Sequence, residues 1–411
     1  MPDWNLRAVI LIIAAVQAIF VSSLLIIRNN PIARQSDKLL AFFLLAISAT
    51  MSEHIAGWLG LYEGQQLTFF PFGETFLFAP LAYLYVKSIT NTEYKWNNKE
   101  WVHFLSAAIY FLVHFFVWAH PVLEKQRIMD LLFKYKWGEL QGYGNAFVFS
   151  LYLYKIIRHY RAYLQWLPTE YSNIEKLKLN WIRNFIILLC IYYVVFLGFS
   201  IAGLIQWYDY DIGFWQYFML ATIIYYTSAA GYGYVQKYRV AFDMGKVMQQ
   251  HKALTAAENN MANSKTEEPA ETIPTKLREN LTGENENTNE SISGVSKNAE
   301  FAELKQIILE HLQKNKPYLD PELSLGQLAH QVQKPPYIVT QVIKTAMGKN
   351  FNDLINSYRV DAVIEKLKNG EQKNQTLLGI AYDCGFNSKA TFNRAFKKAQ
   401  NISPKEFIEI L

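Results

Sequence analysis

Residues 380–407, IAYDCGFNSKATFNRAFKKAQNISPKEF, join an apolar helical face, a glycine where a tight turn is needed, and a second helical stretch carrying lysine, asparagine and arginine. Amide and guanidinium groups on an exposed helix face can hydrogen-bond base edges in the major groove, where each base pair presents its own pattern of donors and acceptors. A second group of reactive residues lies far upstream, where Glu53, His54, Glu74, His103 and His114 sit inside very apolar stretches. Ionisable groups in hydrocarbon are costly and tend to face a bundle interior or a cavity, where they can sense a ligand or move a proton. His103 and His114 are eleven residues apart. That is about three helical turns, which predicts a shared face. Interhelical hydrogen bonds are the competing reading of all five residues. No HExxH-like spacing, phosphate loop or catalytic signature accompanies them, so no metal, cofactor or catalytic residue is expected and the chain does not read as an enzyme.

The elements that must position these residues fall into three blocks. The chain has 411 residues and a formal charge of +5, values that average a very apolar first block, a polar middle and a soluble tail. The first block holds seven apolar runs, at about residues 8–27, 39–60, 67–89, 101–119, 140–157, 181–205 and 213–235. Each approaches the ~20 residues that cross a hydrocarbon core of about 30 Å as a helix. Basic residues sort by connection: those after the first, third, fifth and seventh runs hold clusters such as Arg28, Arg34 and Lys38, or Arg158, Arg161, Lys176, Lys178 and Arg183. The connections after the second and sixth runs, LYEGQQ and QWYDYD, hold none. Lysine and arginine collect on the cytoplasmic side, so the N-terminus is expected outside and the C-terminus inside. A cleaved signal peptide would carry its basic stretch before the first run, whereas here Arg28 and Arg34 follow it. Trp4, Trp58, Trp101, Trp118 and Trp207 near the run ends fit an interfacial aromatic belt.

Around residues 245–298 the sequence turns to Asn, Glu, Thr, Ser and Lys with almost no large apolar side chains. Such a segment cannot bury enough surface to offset its ordering entropy and is expected to be a disordered linker. The two cysteines, Cys190 and Cys384, lie in different blocks and exclude a disulfide framework. The expected architecture is therefore all-α: a seven-helix transmembrane domain at 1–240, a polar cytoplasmic linker at 241–299, and an all-helical tandem helix-turn-helix domain at 300–411.

In the last block, Leu325, Leu328, Ala329 and Val332 recur at helical spacing, Lys334, Pro335 and Pro336 interrupt, and Val339, Val342, Ile343 and Met347 resume until Gly348. A longer helix from Phe351 to Leu367 follows. A second unit then repeats the plan, with Leu377, Ile380, Ala381 and Cys384 on one helix, Gly385 at the turn, Phe386 as a core plug, Ser388 as N-cap, and Phe392, Ala395 and Phe396 facing inward.

The LAHQV helix, the stretch from Tyr337 to Met347, FNDLINSYRV, and IAYDCGFNSKATFNRAFKKAQNISP together resemble the AraC/XylS family of bacterial transcription regulators over about one hundred residues. With seven spans ahead of it, the chain looks like a membrane-bound regulator of that type. The resemblance implies base-reading positions at Tyr337, Thr340 and Gln341 in the first recognition helix and at Lys389, Asn393 and Arg394 in the second. Lys344, Lys397 and Lys398 are assigned to phosphates, which position without specifying. Arg359 is assigned to structure, because its family counterpart orients the linking helix through buried polar contacts. The Pro335–Pro336 pair departs from the serine-led start usual in the family.

The implied function is a one-component sensor that couples a signal at the transmembrane bundle to promoter binding. The alternatives are a transporter, or an intramembrane metal or haem protein, with an attached regulatory tail. Expected partners are double-stranded DNA, the lipid bilayer, an unidentified small-molecule or protein signal, a second copy of the chain and RNA polymerase. The expected location is the bacterial inner membrane, with the C-terminal domain in the cytoplasm.

Overall fold

A computed structural model describes residues 6–28, 30–61, 70–71, 75–204, 210–234, 240–245, 247–249 and 289–411. Among these residues regular structure is helical, and β-structure is limited to isolated bridges. The chain divides into two compact units, Met1–Tyr163 with Leu179–Phe242, and Leu164–Lys178 with Asp243–Leu411.

In the first unit the described residues form eight helices, most of them apolar. They are α1 (Leu6–Ile27), α2 (Arg34–Trp58), α3 (Thr75–Ile89), a 3-10 turn (Asn98–Phe104) running into α4 (Leu105–Trp118), α5 (Val122–Lys134), α6 (Trp137–Glu170), α7 (Asn180–Leu204) and α8 (Tyr210–Gly233). Among the described residues each of the seven expected runs overlaps a helix, and α5 lies in a connection between two of them. Among the described residues, four helical stretches are long and apolar enough to cross a membrane: Leu6–Ile27, Arg34–Trp58, Asn98–Trp118 and Asn180–Ala202. In the other three runs, α3 has 15 described residues, the run on α6 includes Gln141, Asn145 and Lys155, and α8 includes Tyr, Thr, Ser and Gln.

Helix α1 packs on α2 and α8, α2 on α3, and α7 on α8. Buried Leu11, Ala14, Ala18 and Leu25 line the inner side of α1, while Ile13, Val16, Ile19 and Phe20 are exposed apolar side chains. Helix α4 is likewise studded outside with Leu105, Ile109, Leu112 and Phe116. An apolar outer surface of this kind is what a bilayer requires and water penalises.

The second unit builds on α9 (Asn289–Asn315), α10 (Leu325–Gln331), α11 (Pro336–Met347), α12 (Phe351–Lys368), α13 (Leu377–Asp383), α14 (Lys389–Gln400) and α15 (Pro404–Glu409). Two apolar cores share α12. Phe351, Leu354 and Ile355 from its first half join Ile308, Leu312, Leu325, Leu328, Val339, Val342 and Ile343. Val360, Val363 and Leu367 from its second half join Ile380, Ala381, Phe386, Phe392 and Phe396. One rigid helix therefore carries both helix-turn-helix units. Leu164–Lys178 completes this unit, with Tyr171 forming an antiparallel bridge to Ser324.

Candidate nucleic-acid interface

Both turns are set by local chemistry. The first unit opens on a capping box, in which the Ser324 hydroxyl accepts from the Gln327 amide and the Gln327 side chain accepts from the Ser324 amide. Helix α11 starts with Pro336 at a position where the missing N–H costs nothing and ends at Gly348 with φ of 63°. In the second unit Thr376 caps α13, Gly385 turns the chain at φ of 90°, and Ser388 caps α14 by accepting from the Thr391 amide. Gly385 is required twice over. A Cβ there would collide with the Tyr318 carbonyl oxygen and lie 2.9 Å from Arg359 Nε.

These turns leave two helices, α11 and α14, with one apolar and one exposed face. Val339, Val342 and Ile343 are buried, while Tyr337 is 60% exposed, Lys344 is exposed, and Thr340 and Gln341 are half-buried. The Thr340 hydroxyl donates to the Pro336 carbonyl at 3.0 Å, which ties it to its own helix. On α14, Thr391, Phe392 and Phe396 are buried, and Lys389, Asn393, Arg394 and Lys397 are exposed. Lys389, Asn393 and Lys397 recur every fourth residue and so form one stripe.

The stripe is not what helix stability alone would select. Lys389 is the first residue of α14, where the macrodipole disfavours a cation, and no acidic residue stands in that turn. Lys397 and Lys398 lie in the last turn, where the dipole favours them. Lys398 also pairs with Asp353 at 2.7 Å. Arg394 is half exposed, and its Nη1 donates to Glu175 Oε1 at 2.7 Å.

Arg359 is 1% exposed and holds the unit together. Its Nε donates to the Tyr318 carbonyl at 2.7 Å and its Nη2 to the Asp320 carbonyl at 2.7 Å. Its Nη1 and Nη2 also reach Asn356 Oδ1 and Ser172 Oγ at 3.2 and 3.1 Å. Burial lowers its pKa to about 10, which leaves the guanidinium charged at neutral pH.

The contribution of Leu164–Lys178 to this unit was invisible in the sequence, where it reads as a basic loop between two spans. Ser172 is fully buried; its amide and hydroxyl donate to the Leu323 carbonyl at 3.3 and 2.7 Å. Asn352 Nδ2 donates to the Ser172 carbonyl at 2.7 Å, and Asn356 donates in turn to Asn352 at 3.2 Å.

The intramembrane candidates do not assemble as one site among the described residues. Glu74 lies outside the described residues. His54 is buried and stacks on Tyr217 at 4.3 Å, while neighbouring Glu53 is exposed. His103 stands near the end of the 3-10 turn that runs into α4 and is half-buried, and His114 is buried within α4 together with Ala107, Tyr110 and Val117. His103 Nδ1 lies 2.8 Å from the Tyr152 hydroxyl, and its Nε2 lies 3.3 Å from Glu100. His114 Nδ1 instead lies 3.1 Å from the carbonyl of Tyr110 in its own helix. No group of three metal-ligating side chains occurs among the described residues.

Residues 328–410 match the profile of a helix-turn-helix domain. The chain is similar to the TCP pilus virulence regulatory protein of Vibrio cholerae, 39% identical over 64 residues, which are 16% of this chain and 22% of that protein. It is also similar to the HTH-type transcriptional activator RhaS of Mannheimia succiniciproducens, 29% identical over 87 residues, 21% of this chain and 31% of the relative. A third relative, named "Probable transcription factor PqrA", from Proteus vulgaris, is 28% identical over 87 residues, 21% of this chain and 69% of the relative. The chain thus spans under a third of the length of the first two. No solved structure matches the chain. The C-terminal part of the chain is a helix-turn-helix domain of the kind found in non-enzymatic DNA-binding transcription regulators.

Proposed function

We propose that this protein is a membrane-tethered, sequence-specific DNA-binding transcription regulator, a one-component sensor in which a seven-span domain at 1–240 receives a signal. A linker at 241–299 carries a DNA-binding domain at 300–411 in the cytoplasm of a bacterial cell. The observation that carries the reading is the exposed stripe Lys389, Asn393, Arg394 and Lys397 on α14, set against buried Phe392 and Phe396. Arg394 and Asn393 read guanine and adenine edges by bidentate hydrogen bonds, with Lys389 beside them. Tyr337, Thr340 and Gln341 on α11 read a second site. Lys344 and Lys397 hold phosphates, which fixes register without specifying sequence.

Membrane tethering is supported by the four long apolar helices and by the exposed aliphatic and aromatic side chains of α1 and α4. The signal is a small molecule or protein acting at the bundle. Such a signal works only if it binds two arrangements of the helices with different affinity. A second copy of the chain and RNA polymerase complete the promoter complex.

The test is operator binding by the full chain. Replacing both Asn393 and Arg394 by alanine is expected to weaken specific binding by about 1–3 kcal/mol for each lost bidentate contact. Unchanged affinity in the double variant would refute these assignments.

A further inference from the structure

Arg394, the strongest base-reading side chain of α14, already has an anionic partner in the same unit. Glu175 Oε1 accepts from its Nη1 at 2.7 Å and also from Lys178 Nζ at 2.9 Å. Glu175 is only partly exposed, with 26% of its side chain accessible. Burial works to raise its pKa, but the hydrogen bonds from Lys178 and Arg394 outweigh that and hold it below the ordinary glutamate value, so it is ionised at neutral pH.

This contact is not an isolated surface pair. The segment that supplies Glu175 is seated on the domain by the Tyr171–Ser324 bridge and the bonds from Ser172 to Leu323. Asn352 and Arg359 grip the backbone and hydroxyl of Ser172. Three residues past that anchor, the chain presents a carboxylate to the recognition helix.

Glu175 holds Nη1 of Arg394, and a carboxylate competes with the O6 and N7 edge of a guanine for the donors of a guanidinium. We propose that Leu164–Lys178 is a built-in competitor for DNA: Glu175 occupies Arg394, and engagement of an operator requires that pair to open. The proposal rests on the DNA-binding reading above. The pair is partly solvated, so its hold is modest, as a contact meant to be displaced must be. The segment is continuous in sequence with α6 and α7.

The experiment uses the full chain in lipid nanodiscs and a duplex enriched from a random library by wild type or by the Glu175→Gln variant. Binding is measured for wild type, E175Q, R394A and the E175Q/R394A double variant, at about 50 mM salt so that weak binding stays measurable. Glu175→Gln is expected to tighten binding about two- to fivefold, the range set by the strength of partly exposed ion pairs. In the R394A background the same change is expected to have no effect. An equal gain with and without Arg394 would mean simple removal of repulsion and would overturn the proposal. Equal binding by wild type and E175Q, with R394A weakened, would overturn it while leaving the DNA-binding reading intact. Absence of any enriched duplex with either protein would overturn the DNA-binding reading and the proposal with it.

Discussion

At the scale of single residues, the second helix-turn-helix unit hangs on three buried neighbours. Gly385 is in the left-handed region and abuts the Tyr318 carbonyl, so Gly385→Ala combines backbone strain with a collision. The expected loss is above about 2 kcal/mol, read as lost amide-exchange protection in α12. Arg359 spends its donors on carbonyls, an amide and a hydroxyl, a fork that lysine cannot reproduce. Arg359→Lys is expected to destabilise the C-terminal unit by about 3 kcal/mol because it strands buried acceptors. A thermal melt of the full chain followed through α12–α15 would register this. Cys384 is fully buried, and burial raises its thiol pKa to about 11. A thiol so far above its usual value stays protonated from neutral pH up to about 10, so alkylation at pH 8 is expected only after denaturant is added. Rapid labelling of the native protein at that pH would contradict the burial.

At the scale of elements, what the sequence disclosed depended on how local the cause was. The N-cap at Ser388, the turn at Gly385, the stop at Gly348 and the Phe351 helix are determined by residues within a few positions of one another, and each is found where pattern places it. Two features escaped for different reasons. The 3-10 turn at Asn98–Phe104 occupies a stretch that hydropathy cannot distinguish from α-helix. The docking of Ser172 on Leu323, Asn352 and Arg359 spans more than 150 residues of sequence and uses backbone carbonyls, which every chain has. No periodicity announces it. The cap at Ser388 provides an element-level test, because α14 owes its first turn to that hydroxyl. Ser388→Ala is expected to cost about 1 kcal/mol and to lower operator affinity, since Lys389 and Asn393 sit just beyond the frayed end. Loss of stability with operator affinity untouched would detach α14 from recognition.

At the scale of the whole molecule, the charge pattern of the connections makes a prediction independent of DNA. Protease added to intact spheroplasts is expected to spare a C-terminal tag, whereas protease added to inverted vesicles removes it. The opposite pattern would reverse the topology and remove the domain from the genome. The shared helix α12 has a consequence for the operator itself. Its first half lies in one core and its second half in the other, so α11 and α14 cannot slide or swivel independently. Two readers on a flexible tether would tolerate a changed gap between the sequences they contact. Two readers bolted to one shaft will not: a single inserted base pair turns the far site by about 35° around the duplex axis. On the proposed function, the protein would measure helical phase as well as read letters.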